Sequence, residues 1–138
     1  KHLEAYLKKY PGSPYLKDGV YQVLAYLKNS NDIEKELLYF DIFLNKFSDD
    51  PWFLNQYSWR MTELGQNLEL ALEKVNLALT LLEKDAQGIA NIIDTKAEIL
   101  WKLGKIDEAI QTIEEALMIE PGNEYYQIQK EKFSNSKN

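Results

Sequence analysis

The chain has 138 residues, 45% of them hydrophobic and 28% charged, with a formal net charge of −6. That length suits one domain or one short repeat array, and its acidity works against nucleic-acid phosphates and in favour of a neutral or basic protein partner. The lack of cysteine removes disulfides, thiol nucleophiles and thiolate metal sites, and no apolar run approaches the roughly 18 residues of a membrane span, which argues against membrane insertion.

Residues 1–10 read as a helix with Leu3, Tyr6, Leu7 and Tyr10 at helical spacing. Such a face needs cover, so this helix is expected to be the second of a preceding hairpin, and the chain a piece of a longer one. Ser13 and Pro14 read as an N-cap and first helical position for a helix over 14–28. Asn31 with Glu34 resembles a capping box opening a helix over 32–47. Asp50-Pro51 repeats the cap-plus-proline signal for 51–64, and Gly65 suits a left-handed helix end. Helices follow over 68–83, over 89–103 with Gly104 after it, and over 106–119. Pro121-Gly122-Asn123 breaks that helix and caps a last one over 123–134. Val, Ile and Thr show no sustained alternation, so no sheet is predicted.

The chain repeats itself. Tyr6-Leu7-Lys8-Lys9-Tyr10 with Pro14 matches Phe43-Leu44-Asn45-Lys46-Phe47 with Pro51 at an offset of 37. Ala71-Leu72, Val75, Ala78-Leu79 and Leu81 match Ala109-Ile110, Ile113, Ala116-Leu117 and Ile119 at an offset of 38. Two independent matches at nearly one period indicate stacked helical hairpins.

Residues Ile93 to Asn123 resemble a tetratricopeptide repeat (TPR), through Ile93, Ala97, Leu100, Gly104, Ala109, Ile113, Ala116 and Pro121; Lys96 departs from the pattern at a position usually Leu. Leu54, Ser58, Met61, Gly65, Ala71, Val75 and Ala78 make a second match, with one extra residue after Gly65 and no closing proline. The segment 14–47 is more divergent, with Tyr21, Glu36 and Phe43 where small residues belong. The resemblance implies an all-α fold, a right-handed α-solenoid of antiparallel hairpins. A single repeat domain over 1–138 would then hold repeats at 14–47, 51–83 and 89–121 and a capping helix at 123–134. Small residues such as Ala97, Ala109 and Ala116 would let two helices approach closely. Residues 94–104 also resemble the repeats that follow thioredoxin-like domains in some bacterial proteins, although no Cys-x-x-Cys is present.

Catalytic chemistry is sparse. His2, the sole histidine, has no partners suited to zinc or nucleophilic catalysis. No glycine-rich phosphate loop or GxSxG elbow occurs. Asp49-Asp50, Asp107-Glu108 and Glu114-Glu115 read as helix-end and solvated carboxylates. No catalytic residue, cofactor or metal is therefore assigned, and the chain is not read as an enzyme.

The resemblance places Trp52, Asn55, Trp59 and Thr62, then Asn91, Asp94, Glu98 and Trp101, on the concave surface, with Tyr15, Asp18, Gln22 and Ala25 from the divergent repeat. The tryptophans there could contact a ligand or pack between neighbouring first helices. The residues matching the family's carboxylate-binding positions are Asp18, Gln22, Gln56, Asn91 and Thr95, which lack the cations a carboxylate needs. The expected function is a protein-interaction module, with Trp52, Asn55, Trp59, Asn91, Asp94, Glu98 and Trp101 gripping an extended, neutral to basic partner segment. The alternative is a structural or self-association role within a longer protein. Composition leaves the compartment open between cytoplasm and periplasm.

Overall fold

The computed structural model of the chain describes Lys9 and residues 15–137. Among these residues all regular structure is helical: α1 (Leu16–Asn29), α2 (Ile33–Lys46), α3 (Pro51–Leu64), α4 (Leu68–Thr80), α5 (Ile89–Lys102), α6 (Ile106–Ile119) and α7 (Glu124–Asn135). Apart from Lys9, the predicted helix over 1–10 with its apolar stripe, His2, and the Ser13-Pro14 cap lie outside the described residues.

The caps explain most boundaries. Asp50 accepts from the backbone N–H groups of Trp52 (3.0 Å) and Phe53 (3.2 Å), with Pro51 in the first turn of α3. Asn123 opens α7 by accepting from the Tyr126 N–H at 3.1 Å. Gly65 and Gly104 take the left-handed φ values of 66° and 82° expected after α3 and α5. The start of α2 differs from its prediction. Asp32 is the N-cap and accepts from the Lys35 N–H at 3.3 Å, while Asn31 adopts φ 58° in the turn before it. Asparagine tolerates that left-handed conformation, and the carboxylate one residue later takes the orphan amide. Helix α4 also ends earlier than the predicted 83, at Thr80, and residues 81–88 form a chain of turns leading into α5.

The chain divides into two compact units, Lys1–Ser48 and Asp49–Asn138. In the first, α1 buries Leu16, Val20, Leu24 and Leu27 at helical spacing, and α2 buries Glu36, Tyr39, Phe40, Phe43 and Leu44. Tyr39 and Phe43 stack with ring centroids 5.8 Å apart. Bulky rings thus fill the positions where the other hairpins carry small residues.

The second unit holds two antiparallel hairpins, α3–α4 and α5–α6, with α7 following. In the first hairpin α3 buries Leu54, Ser58 and Met61, along with Phe53, Tyr57 and Thr62, and α4 buries Ala71, Val75 and Ala78. The Ser58 hydroxyl donates to the Ala71 carbonyl at 2.9 Å, so this close crossing leaves no polar group wanting. The α5–α6 core joins Ile93, Ala97 and Leu100 to Ala109, Ile113 and Ala116, and takes in Tyr126 and Phe133 of α7. Leu72 and Leu79 of α4 pack onto the same core and tie the hairpins together.

Ala109 is wholly buried in that core, whereas Gln111 on the same helix is exposed. Ala109→Leu should overpack the crossing and cost about 1–3 kcal/mol in urea unfolding. Gln111→Leu should stay within about 0.5 kcal/mol of the parent. Equal losses would mean that α6 presents a different face to α5.

Candidate functional site

The first helices of the two hairpins, α3 and α5, are neighbours, and their facing polar residues meet. Asn55 of α3 donates its side-chain N–H to Oδ1 of Asn91 on α5 at 3.1 Å. Oδ1 of Asn55 is buried and has no hydrogen-bond partner, a state that costs roughly 1–3 kcal/mol. Asn91 is exposed. Trp52, one turn before Asn55, is 40% exposed, and Trp59, one turn after it, is partly exposed.

Trp52 owes its seat to Gly88. A Cβ at residue 88 would lie 3.1 Å from Cη2 of the indole, and Gly88 has φ 84°. Both facts call for glycine: the ring edge fills the space a side chain would need, and the backbone takes a conformation that other residues resist. Sequence reading passed over Gly88, although a glycine directly before an apolar-periodic helix was a usable signal.

Asp94, Glu98 and Trp101 have different surroundings. Instead of lining an open groove they lie beneath α7. Asp94 is 3% exposed and Glu98 6%. The Gln129 side-chain amide donates to both carboxylates, at 3.1 Å to Asp94 and 3.0 Å to Glu98. Lys132 adds an ion pair to Glu98 at 2.8 Å, and its Nζ stands 4.3 Å from the centre of the Trp101 indole. Trp101 also stacks obliquely on Phe133, with centroids 5.8 Å apart, and its indole N–H donates to the Ser136 hydroxyl at 2.9 Å. The cation expected from a partner is therefore supplied by the chain itself. Gln129, Lys132 and Ser136 were missed, although Gln129 and Lys132 are spaced to face an acidic pair four residues apart on a neighbouring helix.

Burial pushes the Asp94 carboxyl up to about 6; the Gln129 hydrogen bond opposes the shift, the Glu98 charge adds to it and Lys132 opposes it. The phenols of Tyr125 and Tyr126 are pushed up to about 12, chiefly by burial and further by nearby carboxylates.

The positions matching a carboxylate-binding groove differ in exposure. Asp18, Gln22, Gln56 and Asn91 are exposed, while Thr95 is buried and donates its hydroxyl to the Asn91 carbonyl of its own helix at 3.1 Å. Tyr15 and Ala25 are also exposed, and Thr62 is buried.

No family model and no curated protein matches the chain. Its fold is similar to the solution NMR structure of the first TPR domain of the human RPAP3 protein, with a TM-score of 0.72 over 89% of this chain and 93% of that one, at 15% sequence identity. The all-α TPR-like repeat architecture is thereby shown.

Gln129→Leu would strip the shared donor from two buried carboxylates. Unfolding at pH 7.5 should show a loss of about 2–3 kcal/mol, and a smaller one at pH 5, where Asp94 takes up a proton. The exposed neighbour Glu131→Gln should change stability by no more than about 0.5 kcal/mol. Equal effects from the two variants would contradict the buried arrangement.

Proposed function

We propose that the chain is a protein-interaction module whose α3–α5 face takes an extended, partly apolar segment of a partner protein. The carrying observation is the half-satisfied Asn55–Asn91 pair beside Trp52. Asn55 holds a buried acceptor with no donor, and Asn91 is exposed with amide hydrogens to spare. An incoming backbone carbonyl would accept from the exposed Asn91 amide, while the enclosed Asn55 oxygen is reached only after the pair shifts. This grip reads main chain, so it suits an extended segment of varied sequence.

Trp52 and Trp59 flank the pair and supply apolar area with an indole donor, the combination favoured at binding hot spots. Repeat arrays create extended surfaces of this kind, to which each repeat adds one helix. The net charge of −6 favours a neutral to basic segment. Asp94, Glu98 and Trp101 enter this reading as the residues that hold α7, not as ligand contacts.

A random peptide library displayed on phage, selected against the 138-residue chain, provides the test. Selected peptides should bind Trp59→Ala about 30-fold more weakly, roughly 2 kcal/mol, while the variant keeps its helical spectrum and melts cooperatively. Asn55→Ala should weaken the same peptides irrespective of their side chains. Unchanged affinity in a folded Trp59→Ala protein removes Trp59 from the site. A lowered melting point with unchanged affinity of the folded fraction would assign it to the core.

A further inference from the structure

Helix α7 is attached on two sides of unlike chemistry. Toward α6 it buries Tyr126 and Phe133 in the apolar core. Toward α5 it meets Asp94 and Glu98 through one amide, Gln129, and one cation, Lys132. Two carboxylates against one ammonium leave a surplus negative charge under the helix. Among the described residues, Lys132 is the cation that acts on Asp94. Among the charged residues of the flanking helices, Arg60 of α3 pairs with Glu63, and Glu114 and Asp107 of α6 pair with Lys130 and Lys137. Lys102 of α5 lies over Trp101, 5.5 Å from its centre. Tyr125 and Tyr126, in the first turn of α7, stay neutral at physiological pH and bring no positive charge.

We propose that α7 is a proton-responsive latch on the α5–α6 hairpin: a proton taken up by Asp94 beneath the helix tightens its docking, and release of that proton loosens it. The pair is enclosed only while α7 is in place, since Gln129 and Lys132 are its lid. With α7 lifted, Asp94 faces water and returns to the ordinary carboxylate range near 4. With α7 docked, burial first and the Glu98 charge next hold its carboxyl up at about 6, against the opposing Gln129 and Lys132. The docked state thus binds a proton between about pH 4 and pH 6 that the lifted state does not. The sign follows. Docking is strongest at or below pH 4, weakens as pH rises through 6, and is constant above about pH 7. Two pH units of difference set a ceiling of about 100-fold on the change in the docking equilibrium. The Tyr126 and Phe133 contacts do not titrate over this range, so they keep the helix attached throughout while the polar side sets how often it opens.

Amide hydrogen exchange followed by NMR on the whole chain, corrected for intrinsic pH dependence, tests the latch, with α3 and α4 amides as the internal reference. The α7 amides should lose up to about 25-fold of relative protection between pH 4.5 and pH 7.5, the part of the ceiling that falls in this window. In Asp94→Asn the amide can still accept from Gln129 but carries no charge, so the profile should be flat and α7 better protected than in the parent at pH 7.5. Parallel profiles in parent and variant would overturn the proposal. Should Asp94→Asn fold poorly, the carboxyl carbon of Asp94 in the parent decides. A midpoint near 6, with the Trp101 indole and α7 resonances moving at the same midpoint, supports the latch, and a midpoint near 4 refutes it.

Discussion

Helix α5 is enclosed. Ten of its 14 residues are buried, among them Asp94, Thr95 and Glu98 as well as the aliphatic face. A helix covered over so much of its surface cannot leave its buried polar groups to water, and each of those must find a protein partner. That constraint orders much of the second unit. The alanine face meets α6, where Ala97, Ala109 and Ala116 let the backbones come close. Asn91 meets Asn55 of α3, and Thr95 turns back onto its own helix. Asp94 and Glu98 are met by Gln129 and Lys132 of α7. The last helix is therefore more than an apolar plug, because it brings the donors without which two buried carboxylates would be untenable.

The two units solve the crossing problem in different ways. In α3–α6 the meeting positions are Ser58, Ala71, Ala78, Ala97, Ala109 and Ala116, and longer aliphatic chains fill the space around them. In α2 the corresponding interior is filled by Tyr39, Phe40 and Phe43, with Glu36 buried among the same helix's inward residues. Bulky rings hold helix axes further apart than alanine does. The segment 14–47 accordingly shows the period of the other repeats without their small residues, and the sequence pattern alone marked it as divergent.

Period, caps and small residues made the architecture legible. Proline after a capping aspartate, glycine after an apolar run and alanine at fixed spacing each constrain the backbone locally, so each can be read without knowing the neighbours. The candidate site was legible only in part. A hydrophobic pattern distinguishes apolar from polar faces, and it assigns a polar face to solvent by default. Asp94 and Glu98 break that default because the face opposite them is polar too. The signal lay in pairing two helices whose partner residues stand 31 to 35 positions apart, with an acidic pair on one and an amide and a lysine on the other. Neither pattern is informative alone. Asn31 failed for a local reason: asparagine serves both as a cap and as a left-handed turn residue, and Asp32 beside it was available for the first role.

The three tryptophans show how position in an array sets the role of a side chain. Trp101 is consumed internally. Phe133 and Lys132 lie against its ring, and Ser136 takes its N–H. Trp52 lies against the backbone of Gly88, with 40% of its surface open. The difference comes from the next helix along. The neighbour of α3 is α5, which offers short asparagine and a glycine turn; the neighbour of α5 is α7, which offers long side chains that reach across. An inward position next to a short-chain neighbour keeps free surface, and one next to a long-chain neighbour becomes interface. By that logic the face proposed for binding is the one where α3 meets α5, and the last helix is held where α5 meets α7. The two can be altered separately, since Asn55 and Asp94 share no partner.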